Sequence, residues 1–247
     1  MRRAGRVVAG TIDAVLAAVA PGRTTGQLDK VAARFIEDQG ALPSFLGYGG
    51  ARGAGRVPFP GVICVSVNDE IVHGIPSSSR KLKEGDVLSL DFGAIWEGFH
   101  ADSAVTVFVG APPSAEAEQL VKTTQAALDA AIGAIGPGGR LSDIGHAIEE
   151  TADAAGLGVV REYGGHGIGR ALHEDPFIQN WGPAGRGPEL RPGLVVAVEP
   201  MLNLGGDETV ALEDGWTVVT ADGSLSAHFE HTIAVTDEGR EILTARG

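Results

Sequence analysis

GDVLSLDFGAIWEGFHADSAVTVFVG, residues 85–110, is the stretch on which the fold turns. Val87 to Phe92 and Ala104 to Val109 are apolar or β-branched runs, and the segment between them holds Gly93, Trp96 and Gly98, so the spacing predicts two strands joined by a turn. An acid sits in or beside each strand. Side chains alternate with period two, so Asp91 shares a face with Val87 and Ser89, and Asp102 shares one with Ala104 and Thr106. Pairing the strands can bring both carboxylates to one side. That placement is costly. A buried acid needs a partner or a metal, and two carboxylates within roughly 4 Å cannot both stay ionised without a counter-charge.

One acid pair taken alone is also compatible with a turn residue and a cap, but the second half of the chain repeats the pattern. TIDAVLAAVAPG from Thr11 aligns with ALDAAIGAIGPG from Ala127, with Asp13 on Asp129, Leu16 on Ile132 and Pro21 on Pro137, an offset of 116. At that offset Leu28 meets Ile144 and Gly40 meets Gly156. HGI at His73 recurs at His166, and KLKEGDVLSLD matches ELRPGLVVAVE, which sets Asp91 on Glu199. A second hairpin, WTVVT and SAHFEHTIAV around Ala221–Ser224, is expected to close the half and carries Glu230 where the first carries Asp102. Each half thus reads helix, helix, an HGI segment, an acid at a strand end and a second acid in a later strand. Such self-similarity predicts a pseudo-two-fold unit whose matching residues meet at a shared centre. Residues 1–247 are expected to form one catalytic domain, with pseudo-repeats of approximately 1–110 and 111–247.

The helices follow from periodicity. Val8, Ile12, Val15, Leu16 and Val19 recur at helical spacing up to Pro21-Gly22, and Asp13 interrupts what would otherwise imitate the apolar core of a secretory signal. A second helix starts after Thr24, with Gln27 as a capping-box partner, buries Leu28, Val31, Ala32, Phe35 and Ile36, and ends near Gly40. Short connections between strands and adjacent helix pairs predict an α+β fold with a mostly antiparallel sheet, helices on its outer face and function on the concave inner face. Gly49 to Pro58, rich in Gly and Arg, reads as an exposed loop.

Composition narrows the partners. The formal net charge of −13 argues against nucleic acid and anionic membrane surfaces, both of which need clustered Lys and Arg. The lone cysteine, Cys64, forbids an intrachain disulfide and fits a reducing, cytoplasmic setting; within VICVSV it reads as a buried thiol and not a nucleophile.

Asp91, Asp102, Glu199 and Glu230 together place about four negative charges in one space, which is untenable without cations. Two divalent ions neutralise them, and oxygen ligands with one imidazole suit Mn, Fe(II), Co or Zn. Ions about 3.5–4 Å apart acidify a bridging water to hydroxide and polarise the carbonyl under attack, which is hydrolytic chemistry. In EYGGHGIGRALHEDP the glycines allow close approach, so His166 is read as a metal ligand and His173 as a donor to the developing oxyanion. His73, in the other HGI, has an equal opportunity to face the centre. His100, His146, His228 and His231 are weaker candidates.

The motifs NDEIVHGIP, LDFGAIWEGFHAD, GGHGIGRALHEDP, VVAVEPM and DGWTVVTADGSLSAHFEHT resemble, over nearly the whole chain, those of the type I methionine aminopeptidases, which are pita-bread metallopeptidases. The resemblance implies Asp91, Asp102, His166, Glu199 and Glu230 as the ligands of two divalent ions, with Asp102 and Glu230 bridging. It implies that His73 and His173 contact the scissile peptide and that Glu199 acts in catalysis as well as in ligation. Tyr48, Phe59, Cys64, Met201 and Trp216 are implied as the pocket for a methionine side chain, and a monovalent cation is implied near Asn68 and Ser226. The implied activity is removal of the initiator methionine from nascent chains, at the ribosome, by a monomer. Proline-directed peptidases share the fold but usually carry an extra N-terminal domain, and a non-catalytic binding protein of this fold would have lost ligands. The chain departs from the resemblance in the Gly49–Pro58 insertion, in Leu172 before the histidine, and in opening inside the expected first helix without the usual lead-in.

Overall fold

A computed structural model of the chain describes residues 1–50 and 57–247. Most of the Gly/Arg stretch read as a loop, residues 51–56, lies outside the described residues. The first half contains α1 (Arg2–Leu16), α2 (Thr25–Asp38), β1 (Leu42–Pro43), β2 (Ile63–Val67), β3 (Glu70–Val72), β4 (Val87–Trp96) and β5 (Phe99–Phe108). The second contains α3 (Ala115–Ala134), α4 (Leu141–Ala155), β6 (Gly158–Val159), β7 (Gly165–Gly167), β8 (Glu174–Ile178), β9 (Val195–Val198), β10 (Met201–Asn203), β11 (Thr209–Ala211), β12 (Val218–Thr220), β13 (Ser226–His228), β14 (His231–Thr236) and β15 (Gly239–Ile242). This is the expected α+β arrangement, two helix pairs with antiparallel strands.

The helices form where the pattern places them. In α2, Thr24 Oγ1 accepts from the Gln27 N–H and Gln27 Oε1 accepts from the Thr24 N–H, which satisfies two otherwise orphaned donors. Val8, Ile12 and Val15 bury the apolar stripe of α1, but that helix stops at Leu16, so Val19 packs on the core from beyond its end. The crossing of α1 and α2 is close at Gly10, where a Cβ would stand 2.7 Å from Phe35 Cζ.

The opening hairpin is longer than the sequence suggests. Gly93 and Trp96 belong to β4, and the reversal needs only Glu97 (φ 49°) and Gly98 (φ 76°), both left-handed as a two-residue hairpin turn requires. Gly93 is a strand residue, paired with Asp102, and the chain leaving β1 packs against it. The Ser44 N–H donates to the Gly93 carbonyl at 3.0 Å, and a Cβ on Gly93 would lie 2.7 Å from Ser44 and Phe45. Asp91 sits opposite Ala104 and Asp102 opposite Gly93, so the acids are diagonal neighbours on one face. The other face of β4, through Leu88, Leu90 and Phe92, joins the core formed with Ile12, Leu28, Leu120 and Ile148 of the four helices. Helices therefore cover one side of the hairpin, and the acids are left on the other.

The second hairpin does not form as expected. Instead β12 pairs with β11 and, from the first half, with β3, while SAHFEHTIAV splits at Phe229–Glu230 into β13, which pairs with β10, and β14, which pairs with β9 and β15. The split lets the halves join. Ala104 and Glu230 exchange both backbone hydrogen bonds, at 3.3 and 3.0 Å, while Thr106 Oγ1 bonds both the N–H and the carbonyl of His228. Thr232 Oγ1 does the same for Asp102. Running antiparallel, these contacts set Glu230 beside the Asp91/Asp102 face.

Candidate active site

Each acid is delivered by a different piece of backbone. Asp91 and Asp102 come from β4 and β5, Glu199 follows β9 with its carbonyl held by Asn180 Nδ2 at 2.9 Å, and Glu230 sits between β13 and β14. His166 is the middle residue of β7, squeezed between β8 and β9. A Cβ on Gly165 would fall 2.3 Å from the Ala197 carbonyl, and one on Gly167 would fall 2.2 Å from that of Asp175. No other residue fits on either side of this histidine.

These five side chains open onto one cavity of about 270 Å³. Asp102, His166 and Glu230 each offer an atom within 4.8 Å of the other two, and His166 Nε2 lies 3.5 Å from Glu199 Oε1. His166 Nδ1 is 2.8 Å from the Gly167 carbonyl, which can only accept; the proton is therefore on Nδ1, and Nε2 presents its lone pair to the acids.

Burial dominates the electrostatics. It pushes Asp91 up to about 7, against hydrogen bonds from Asp102, Cys64 and the Phe92 backbone that pull the other way. Burial and the neighbouring acids hold Asp102 well above the ordinary carboxylate range, with Glu230 and then Asp91 as its charged neighbours. Glu199 and Glu230 are raised for the same reasons. In the opposite sense, burial lowers His166 to about 4, with His173 adding to the effect.

A metal fits this constellation. Asp91 Oδ1, Asp102 Oδ1 and Glu230 Oε1 are buried without a hydrogen-bond partner, an expensive state that a divalent cation relieves by replacing protons on a hard oxygen donor set. The sign of the pH dependence follows. Above about pH 7.5 the histidines of the unfolded chain, ordinarily near 6.5, have lost most of their protons and the buried ones are already neutral, whereas carboxyls raised in the fold still hold protons that the unfolded chain has lost. Metal-free protein is therefore expected to lose stability from pH 7.5 to 8.5, with a fall in Tm on the order of 5 °C. Saturating divalent metal should flatten the profile. Thermal melts with and without chelator check this, and a flat or rising metal-free profile contradicts it.

Of the other residues singled out from sequence, Tyr48, Phe59, Cys64, His73, His173 and Trp216 line the same cavity. Its apolar wall joins Phe59, Cys64 and Trp216 with Phe45, Ile168 and Leu172. Phe59 meets Trp216 edge-on at 5.2 Å between ring centroids, and the indole N–H donates to the Val57 carbonyl. Burial raises the Cys64 thiol, with Asp91 and Asp102 adding to the shift, as befits a wall residue and not a nucleophile. His73 holds a left-handed backbone, φ 60°, with its ring edge-on to Tyr163 and Trp216. His173 is 4.3 Å from His166 between ring centroids, and its Nδ1 lies 2.6 Å from the Tyr48 hydroxyl.

Met201 is placed differently. It is fully buried in a separate cluster with Ile71, Val72, Val160 and Val218, and it does not line the cavity. Its strand, β10, is the middle strand between β13 and β6. Asn68 and Ser226 are joined by a backbone hydrogen bond of 2.9 Å, and the Asn68 side chain is bonded to Asp86 and to the Val87 N–H.

Two residues gain weight from the structure. Phe45 contributes to the wall, although nothing in LPSFLGY distinguishes it from ordinary core. His228 has its Nε2 buried without a hydrogen-bond partner, 3.7 Å from Glu199 Oε2, and burial lowers it to about 3. Its separation by two residues from Glu230 was the available signal. His146 is exposed on α4, and His100 and His231 bond to Ser44 and Thr244.

Sequence and structure comparisons converge on one group. The pattern of metallopeptidase family M24 matches residues 1–237. Methionine aminopeptidase 1 of Mycobacterium tuberculosis is 50% identical over 250 residues, spanning 99% of this chain and 91% of that protein. Methionine aminopeptidase 1 of Bacillus subtilis is 50% identical over 244 residues, spanning 99% and 94%. The crystal structure of methionine aminopeptidase from Thermotoga maritima superposes with a TM-score of 0.94 at 43% identity, covering 100% of this chain and 95% of that one.

Proposed function

Because the chain belongs to metallopeptidase family M24, we propose that the buried carboxylate–histidine cluster is its hydrolytic centre and that the enzyme removes the initiator methionine from chains with a small second residue. It is a metal-dependent aminopeptidase. One observation carries the substrate reading: unpartnered buried carboxyl oxygens share a single cavity with an apolar wall of Phe59, Cys64 and Trp216. Charge chemistry and a slot for one uncharged side chain are thus adjacent.

Asp91, Asp102, His166, Glu199 and Glu230 would hold two divalent ions, drawn from Co, Mn, Fe(II) or Zn. Bound there, the ions supply Lewis acidity to the attacked carbonyl and acidify the attacking water. The resemblance implies that a monovalent cation would sit near Asn68 and Ser226.

The chain's own groups do the rest. The aromatic wall takes the methionine side chain and excludes water from it. His73, fixed by its backbone and by the Tyr163 and Trp216 rings, borders the scissile peptide. His173 donates to the carbonyl oxygen as it gains charge. As water adds to the carbonyl carbon, a Glu199 oxygen takes its proton and passes it to the leaving nitrogen; the C–N bond breaks, and methionine and the shortened chain are released. Nascent polypeptides at the ribosome, in a reducing cytoplasm, are the fitting source of substrate.

Metal-loaded protein is expected to cleave Met-Ala-Ser and to leave Met-Lys-Ser essentially intact, because a long second residue has to enter the space beside His73 and Glu199. Release of free methionine is the readout. Equal cleavage of the two peptides, or none of the first, refutes the reading. Preferential turnover of a Xaa-Pro dipeptide would favour a proline-directed enzyme instead.

A further inference from the structure

Tyr48 lies at the cavity mouth, 38% exposed, where its obvious use is as one more apolar surface for the methionine side chain. Its hydroxyl does something more specific. It stands 2.6 Å from Nδ1 of His173, a short hydrogen bond across 125 residues of sequence, with the ring centroids 5.2 Å apart.

An imidazole has two ring nitrogens, and in its neutral form one donates while the other accepts. With Nδ1 engaged by Tyr48, Nε2 is the nitrogen left for a substrate. If Nδ1 carried the proton and donated to the phenol oxygen, Nε2 would present a lone pair to the reacting carbonyl and repel the charge forming there. If the phenol O–H donates to Nδ1, Nε2 carries the proton and stabilises that charge. A tyrosine hydroxyl can play either part, but only the second gives His173 a donor where the reaction needs one. His166 shows the same device in reverse: its Nδ1 faces a carbonyl that can only accept, which leaves Nε2 as a lone pair for the acids.

We propose that Tyr48 is a positioning residue: its hydroxyl donates to Nδ1 of His173, fixing the Nε2–H tautomer and the ring orientation that aim a proton donor at the scissile carbonyl. This rests on the oxyanion role given to His173 above. It also couples the methionine pocket to the reaction, because the ring that borders the side-chain slot is the ring whose hydroxyl prepares the donor.

Two measurements test it. The first is a cycle of Tyr48→Phe, His173→Ala and the double variant, assayed with metal-saturated protein on Met-Ala-Ser. Tyr48→Phe should lower kcat about five- to tenfold with KM within about twofold, the scale of one hydrogen bond, and should have no further effect on the His173→Ala background. A pocket-lining tyrosine would instead raise KM or act equally in both backgrounds, and either result overturns the proposal. The second is nitrogen NMR of the His173 ring in the wild-type chain, metal-free and zinc-loaded, which needs no variant to fold. A protonated Nε2 and an accepting Nδ1 are expected, and a protonated Nδ1 overturns the proposal. The failures are distinguishable. Wild-type protein that cleaves no Met-Ala-Ser sinks the peptidase reading, whereas normal wild-type cleavage with an unchanged Tyr48→Phe sinks only the tautomer role.

Discussion

Asp102→Asn is expected to lower kcat/KM on Met-Ala-Ser by on the order of 10³-fold or more, because it removes one of the charges that grip the metal. The fold should survive. Burial and the neighbouring acids raise Asp102 well above the ordinary carboxylate range, so a neutral asparagine of equal size, whose amide can donate towards Asp91, is tolerated in the metal-free fold. Its backbone anchors, the two hydrogen bonds to Thr232 Oγ1, do not involve the side chain. Metal-free melting temperatures of the two proteins should therefore stay within a few degrees while calorimetric metal affinity collapses. A variant that keeps wild-type metal affinity, or activity within about tenfold, removes Asp102 from the centre.

His173→Ala ranks second. Deleting a donor aimed at developing charge in a water-poor site costs about 10²–10³-fold in kcat, with little change in KM because the bond strengthens only as charge builds. His173 belongs to no hydrophobic cluster and bonds chiefly to Tyr48, so its loss should leave the metal ligands and the apolar wall in place. Steady-state kinetics decides the matter: a loss confined to KM reassigns His173 to substrate binding.

How much of this was readable from the chain differs from residue to residue. Period-two alternation gave each acid its face within its own strand, but that the two faces coincide depends on the register, which the two-residue turn at Glu97-Gly98 sets. The strand ends were misread at Gly93. A glycine between two runs looks like a turn, yet it sits in mid-strand opposite Asp102, and it is a glycine because Ser44 and Phe45 press against it. That pressure comes from residues that stand 49 and 48 positions earlier in the chain. The second hairpin failed for a related reason: Val218–Thr220 has the local pattern of a strand, but the pattern does not name its neighbour, and β3 of the other half is the one it finds.

Within the site, the acids and the paired HGI segments stood out because their chemistry is costly anywhere but at a functional centre. Met201 was assigned to the pocket by resemblance and packs instead in a separate cluster, outside the cavity lining. Phe45 was passed over and lies in the pocket wall. Apolar side chains carry no mark of which face they serve, since burial stabilises them equally in a core or in a cavity lining.

The sequence by itself determined the elements, the duplication and the residue types that can hold metal, because propensity, periodicity and the cost of buried charge act locally. Only the tertiary structure decided which ladders join the halves, how Glu230 reaches Asp102, and which nitrogen of each histidine faces the cavity. Those depend on contacts between segments more than 100 residues apart, such as Ala104 with Glu230 and Tyr48 with His173, whose geometry no local rule encodes.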